Sequence, residues 1–181
     1  HAAQLRSPLW SPDSKRIAYA DMEHGLRILD VQSGAVKDVA KGRRAAITHY
    51  RWSPDSRYLV YSNAAPTDLL GIWIHDTDAG STELLSSGLS NDFNPVFSED
   101  GVYILFLSNR DFNLRFSSHE FRYVYDRATR VYAGAVNADV PPFQPWRNDE
   151  EKVQAEDAKD ETLSTVVDAG RWSANAWPST R

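Results

Sequence analysis

Short apolar runs, each closed by turn-forming residues, make up most of this chain. Residues 26–30 and 57–62 are rich in branched aliphatic and aromatic side chains, which pack well on a pleated sheet. No segment has the sustained apolar period of 3.6 residues that marks an amphipathic helix. The pattern therefore predicts an all-β fold.

One decapeptide recurs along the chain. It reads Trp-Ser-Pro-Asp-Ser-Lys-Arg-Ile-Ala-Tyr from Trp10 and Trp-Ser-Pro-Asp-Ser-Arg-Tyr-Leu-Val-Tyr from Trp52, and a looser copy starts at Phe97. The copies begin 42 and then 45 residues apart. Because one four-stranded blade of a β-propeller takes about 40–45 residues, the spacing predicts propeller blades rather than a β-sandwich with similar turns.

Each repeat has the sequence features of a four-stranded antiparallel blade. An aromatic residue ends the first strand, Ser-Pro-Asp-Ser/Gly forms a tight turn, and a second strand follows. Residues 26–30 and 72–76 predict a third strand, and residues 35–39 and 81–85 a fourth. We therefore expect a β-propeller fragment of about three blades. Since a closed ring takes 4–8 blades, the terminal blades should leave uncovered faces.

The third repeat is longer than the other two. Residues 114–129 intervene before its delayed third strand at 130–136, and aromatic residues occupy every second position over 121–126. This alternation predicts that the insertion lengthens a hairpin.

The sequence changes character after the third repeat. Prolines at positions 141, 142 and 145 break any strand ladder, and residues 147–162 contain seven acidic residues against three basic ones. We expect a partial propeller over residues 1–146, an acidic linker over 147–162 and an irregular C-terminal segment over 163–181.

Composition and charge exclude several classes of function. The formal net charge is -5 and most of it lies in the acidic linker, so a nearly neutral body offers no basic face to nucleic acid. The chain has no cysteine, and its five histidines fit no metal-binding spacing. No apolar run reaches the ~18 residues of a membrane span. We therefore expect no metal, no cofactor, no nucleic acid and no membrane as partners.

Residues 91–113 carry a more specific pattern, which ends in Phe-Leu-Ser-Asn-Arg-Asp-Phe-Asn from Phe106. Together with the aromatic insertion and the proline-rich exit, this segment resembles the closing blades of the second, seven-bladed propeller of tricorn proteases. The resemblance covers roughly residues 10–161. The Ser-Pro-Asp turns alone are shared more broadly with TolB-like and WD40-like propeller repeats.

The resemblance implies a non-catalytic propeller segment of a cytoplasmic, homo-oligomeric serine peptidase that degrades short peptides. The segment would act as substrate gate, channel and scaffold, and its partners would be peptides, the remaining blades and the catalytic domains. The catalytic residues of that family lie beyond the propeller, and no motif here receives them. The alternative is a TolB-like protein- or peptide-binding propeller without protease activity. An autonomous hydrolase is the third hypothesis, although the conspicuous serines occupy turn positions.

Four residues are candidate peptide contacts. Arg110 could hold a peptide carboxylate in a bidentate fork, and the alternative interpretation is a salt bridge to Asp111 or a neighbour. Arg43 and Arg44 join the first two repeats and either meet anionic peptide ends or lie in a solvated loop. His119 lies in the insertion and could face a channel.

Overall fold

The computed structural model describes residues 6–43, 45–111, 114–116, 123–125, 128–137, 139–141 and 143. These residues form thirteen β-strands and contain no helix. Accordingly, no described segment has the helical length and hydropathy of a membrane span. The all-β prediction is confirmed, whereas the acidic linker and the C-terminal segment expected at 147–162 and 163–181 lie outside the described residues.

Two four-stranded antiparallel sheets contain the first two repeats. The first blade consists of β1 (Arg6–Trp10), β2 (Arg16–Ala20), β3 (Gly25–Asp30) and β4 (Val36–Lys41). The second blade consists of β5 (Tyr50–Trp52), β6 (Tyr58–Ala64), β7 (Leu70–Asp76) and β8 (Thr82–Leu84). In both sheets the strands pair in chain order, so each repeat pairs within itself, as the blade hypothesis predicts.

The third blade has three strands in the described part of the chain. They are β9 (Asp92–Phe97), β10 (Tyr103–Ser108) and β13 (Arg130–Ala135). Between β10 and β13, β11 (Leu114–Phe116) and β12 (Tyr123–Tyr125) form a separate two-stranded hairpin. The insertion therefore lengthens a hairpin and delays the third strand, as its alternating sequence predicts.

The repeated serine organises the first turn of every blade. Its hydroxyl oxygen accepts a hydrogen bond from the backbone N–H five residues later, at 2.9 Å in the first blade, 2.8 Å in the second and 2.9 Å in the third. The same hydroxyl donates to the aspartate two residues on; the serine–aspartate pairs are Ser11–Asp13, Ser53–Asp55 and Ser98–Asp100. The fourth turn residue is left-handed at Ser14, Ser56 and Gly101, with φ of 59°, 64° and 73°.

The contact between the first and second blades joins small side chains to large ones. The first blade presents Ala18, Ala20, Leu26 and Ile28, and the second presents Tyr50, Trp52, Leu59 and Tyr61. The Trp52 indole Nε1 donates to the Leu9 carbonyl at 3.1 Å, so the aromatic ring is fixed as well as buried. The two blades thus share one apolar core.

A second apolar core lies between the second and third blades. Residues of β6 and β7 pack against residues of β10 and β13; the main members are Tyr58, Val60, Ile72, Ile74, Ile104, Phe106 and Tyr132. The third blade therefore packs on the second as the second packs on the first.

Ser53→Ala tests the turn chemistry. The substitution leaves the buried Tyr58 N–H without its side-chain acceptor, and we expect the free energy of unfolding to fall by about 2 kcal/mol in urea denaturation. Ser81→Ala, at an exposed turn position, is the control and should change it by less than about 0.5 kcal/mol. Equal effects at the two positions would contradict the role of Ser53.

His75 gives the fold a pH dependence. It is a buried residue of β7 whose Nδ1 lies 2.8 Å from Thr82 Oγ1, and burial lowers the pKa of its imidazole below the ordinary 6.5. At acidic pH the unfolded chain therefore binds more protons than the folded chain. The stability that neutral His75 contributes is lost as the pH falls below about 6.5. Its counterpart in the first blade is Leu29, which occupies the same register position.

We expect His75→Leu to flatten the loss of stability between pH 7 and pH 5, as measured by urea unfolding at intervals across that range. An unchanged slope in the variant would show that other groups control this range.

Candidate functional site

A cleft of about 400 Å³ lies where the second and third blades meet. Its walls include Leu69 from the β6–β7 turn, Leu89 and Asn91 from the β8–β9 connection, and Asn109 and Arg110 after β10. These segments meet because consecutive antiparallel strands return to the same end of the sheet. The cleft therefore contains Arg110, the candidate that the sequence placed at the end of an apolar strand.

Arg110 forms an ion pair with a buried carboxylate. Its Nη2 donates to both oxygens of Asp92 at 3.1 Å, and its Nε donates to Ser108 Oγ at 3.0 Å. Asp92 is fully buried and also accepts a hydrogen bond from Ser90 Oγ at 3.1 Å. The pair is an inter-strand salt bridge to a neighbour other than Asp111, because β9 and β10 place Ser108 opposite Asp92.

Two aromatic rings pack against the Arg110 guanidinium. Arg110 Cζ lies 4.5 Å from the ring centroid of Tyr132 and 5.4 Å from that of Phe106. The two rings are stacked with centroids 5.9 Å apart. Because the cation lies over ring faces and against a carboxylate, its position is fixed on several sides.

The Tyr132 hydroxyl stays neutral beneath this cation. Burial, together with the nearby Asp111 carboxylate, raises the pKa of Tyr132 to about 12. Asp111 itself pairs with Arg130 at 3.2 Å. The surroundings of Arg110 thus hold two ion pairs rather than the Arg110–Asp111 bridge that adjacency in sequence suggests.

Part of the guanidinium remains available to the cleft. Arg110 is 21% exposed at its side chain, and Nη1 has no hydrogen-bond partner among the described residues. Arg110 Nε and Nη2 already donate to Ser108 and Asp92, so a ligand would be bound by the two N–H groups of Nη1.

Two amides add further donors to the same wall. Asn109 Oδ1 accepts from Thr129 Oγ1 at 2.7 Å, and Asn91 Oδ1 accepts from the Leu70 backbone N–H at 3.0 Å. The oxygens are therefore occupied, which leaves each Nδ2 able to donate. Of the described residues that line the cleft, none is acidic. The cleft thus suits a ligand that has acceptor oxygens and an apolar part.

The remaining candidate residues from the sequence are Arg43, Arg44 and His119. Arg43 is exposed and pairs with Asp68 at 3.6 Å, in the turn that also supplies Leu69 to the cleft. Arg44 and His119 lie outside the described residues. The sequence interpretation missed Asp92 and Leu89, although an acidic residue near the start of the strand that pairs with β10 was a usable signal for Asp92.

Comparison of sequences identifies related proteins. The family model for the tricorn protease second beta propeller domain matches residues 2–171. Tricorn protease homolog 1 of Streptomyces coelicolor is 28% identical over 139 residues, which are 76% of this chain and 13% of the relative. The tricorn protease of Thermoplasma volcanium is 26% identical over 128 residues, 67% of this chain and 12% of the relative. The chain thus spans only about an eighth of the length of these two relatives.

Solved structures have the same fold. A crystal structure of the tricorn protease superposes with a TM-score of 0.70 at 17% identity, over 76% of this chain and 14% of that chain. A structure of TolB from Acinetobacter baumannii superposes with a TM-score of 0.50 at 20% identity, over 68% of this chain and 32% of that chain. These likenesses support the propeller architecture, and the family match extends along most of the sequence. The chain therefore belongs to the family of tricorn protease second β-propeller domains.

Proposed function

We propose that this chain is a non-catalytic propeller segment of a tricorn-like serine peptidase and that it helps to admit short peptides. The observation that carries the proposal is the match of the second propeller domain over residues 2–171. The parent assembly would be cytoplasmic and built from several copies of the full-length protein. Its catalytic residues would lie in other parts of that protein.

The cleft at Arg110 is the proposed peptide contact. A peptide supplies a carboxylate or carbonyl oxygen for the Nη1 and amide donors, and an apolar side chain for Leu69 and Leu89. The Arg110 charge is balanced by Asp92, so the attraction for a carboxylate is modest. Weak, repeated contact suits a surface that passes substrates on, whereas tight binding would retain them.

Several serine and histidine side chains of the blades stabilise the fold. Ser11, Ser53 and Ser98 hold turns, and the side chains of His49 and His75 contact Thr48 and Thr82. A serine nucleophile needs a histidine base within hydrogen-bond reach of its hydroxyl. These arrangements support a scaffold role for the described residues.

A TolB-like binding propeller without protease activity is the second candidate. The superposition on TolB, at a TM-score of 0.50, supports this candidate only in that the two chains share a fold. The two candidates differ in one observable property, since only the first predicts peptide hydrolysis by the full-length protein.

A charge series at Leu89 tests the peptide contact. Leu89 is 78% exposed, so a charged side chain there leaves the fold intact. In the full-length protein Leu89→Glu and Leu89→Lys both remove the apolar contact, and we expect KM for an unblocked peptide to be about fivefold higher for Leu89→Glu than for Leu89→Lys, because the two charges shift it in opposite directions. The reason is that a unit charge about 8 Å away in water contributes about 0.5 kcal/mol. Steady-state kinetics at low salt measure the change, and kcat should stay constant.

Met22, an exposed residue in the β2–β3 turn of the first blade, provides the matched control. Met22→Glu and Met22→Lys should leave KM unchanged, and amidating the peptide C-terminus should reduce the Leu89 effect. If both positions respond equally, net charge alone is responsible and the cleft has no special role.

The non-catalytic assignment of this chain has its own test. We expect the 181-residue chain to release no fluorophore from fluorogenic peptides under conditions in which the full-length protein does, while circular dichroism shows that the chain retains β structure. Hydrolysis by the chain alone that a serine-directed inhibitor abolishes would refute the non-catalytic assignment. A full-length protein that cleaves no peptide would favour the TolB-like candidate.

A further inference from the structure

The positive charge of Arg110 has a counter-charge directly behind it. Asp92 is fully buried, and both of its carboxylate oxygens accept from Arg110 Nη2 at 3.1 Å. The Arg110 side chain is 21% exposed, so water screens the pair only partly. The Asp92 carboxylate therefore cancels much of the attraction that the guanidinium would otherwise exert on an anion in the cleft.

The cleft wall keeps hydrogen-bond donors for a ligand although its charge is compensated. Arg110 Nη1 has no partner among the described residues, and the amides of Asn91 and Asn109 use their oxygens and leave Nδ2 to donate. Donors of this kind bind an uncharged carbonyl oxygen and need no formal charge on the acceptor. The wall is therefore suited to the carbonyl groups of a peptide main chain.

The blade repeat does not require this ion pair. In the second blade, the residues that lie at the same distances along the chain from the repeated serine are Ile47 and Ala65. Both are buried and apolar, so a blade of this repeat folds with no charge at either position. Since a buried ion pair often contributes no more stability than apolar side chains of similar volume, the pair of Asp92 and Arg110 calls for an explanation other than stability.

We infer that Asp92 sets the ligand selectivity of the cleft: by compensating Arg110, it lets the cleft bind an uncharged main-chain carbonyl about as well as a terminal carboxylate. The inference rests on the proposed peptide contact and names the chemical group that this contact takes. Every residue of a peptide carries a carbonyl, so the cleft accepts a peptide at any position along it. An uncompensated arginine would instead favour the C-terminal end.

A purely structural role for Asp92, as a clamp that holds Arg110 in place, is the competing interpretation. Two other contacts already fix the guanidinium, because its Nε donates to Ser108 Oγ at 3.0 Å and its Cζ lies 4.5 Å from the ring centroid of Tyr132. What Asp92 adds to these contacts is a negative charge. Asp92 is therefore a positioning residue whose main effect on a ligand is electrostatic.

A matched pair of peptides tests the inference in the full-length protein. The quantity measured is the ratio of KM for a C-terminally amidated peptide to KM for the same peptide with a free carboxylate. Asp92→Asn keeps the shape of the side chain and removes its charge, so we expect this ratio to rise about tenfold at low salt and the rise to shrink as salt is added. Comparing variant with wild type cancels the contribution of other parts of the protein to the ratio. An unchanged ratio, with KM raised equally for both peptides, would overturn the inference in favour of the structural role.

Asp38→Asn provides the control for net charge. Asp38 lies in the first blade, pairs with Arg27 and is 82% exposed at its side chain, so the substitution removes the same charge far from the cleft. We expect it to change the ratio by less than about twofold, because solvent screens a distant exposed charge. An equal rise for Asp38→Asn and Asp92→Asn would assign the effect to net charge and overturn the inference.

A neutral pair keeps the test decisive if Asp92→Asn alone does not fold. The double variant Asp92→Asn with Arg110→Gln replaces both charges by amides and leaves no uncompensated buried charge. KM should rise for both peptides because guanidinium donors are lost, whereas the ratio should stay within about threefold of the wild-type value, since a compensated pair attracts a carboxylate only weakly. A larger fall in the ratio would show that Arg110 acts as an uncompensated cation and would overturn the inference.

The charge series at Leu89 separates this inference from the proposed function. A KM that responds to charge at Leu89, together with a ratio that Asp92→Asn leaves unchanged, overturns the role of Asp92 and leaves the peptide contact standing. A KM that does not respond to charge at Leu89 refutes the peptide contact itself, and the inference about Asp92 is then refuted with it.

Discussion

The packing of large side chains of one blade against small aliphatic side chains of its neighbour is the contact on which the rest of this structure depends. A single four-stranded sheet has two faces and cannot bury both, so each blade gains its core from the next. Trp52 shows the arrangement most clearly, since its ring is covered by the first blade and its N–H is held by the Leu9 carbonyl. Because this contact repeats, the blades stack in sequence, and the loops at one end of the sheets are brought together.

The cleft at Arg110 is a product of that stacking. Its walls come from turns and connections of two blades, and Arg110 is fixed from within the third blade by Asp92 and by the Tyr132 ring. A largely buried ion pair of this kind costs desolvation, which the two contacts to Asp92, the hydrogen bond to Ser108 and the aromatic rings help to offset. The result is a donor-lined surface of modest charge, which supports the proposal that this segment contacts peptides.

The first and third blades depart from the second in ways that bear on the parent protein. The third blade inserts the β11–β12 hairpin between strands that are adjacent in its sheet, and it thereby adds material at the end where Arg110 lies. The first blade leaves Trp10 and Val36 exposed on its face away from the second blade. The third blade thus differs from the second by an inserted hairpin, and the first blade differs from it by an exposed apolar face.

The sequence by itself determined the blades and their turns and singled out Arg110 as a candidate, because these depend on residues that are close along the chain. Ser53, Asp55 and the backbone of Tyr58 form one turn, and the spacing of the repeats sets the strand count. Only the tertiary structure decided the partner of Arg110. Counting back from the 98–101 turn places Phe93 opposite Ser108, but an irregularity near Asn94, whose φ is 54°, shifts the register by one and brings Asp92 there instead. The cleft likewise joins Leu69 to Arg110, and no local pattern fixes how two sheets pack.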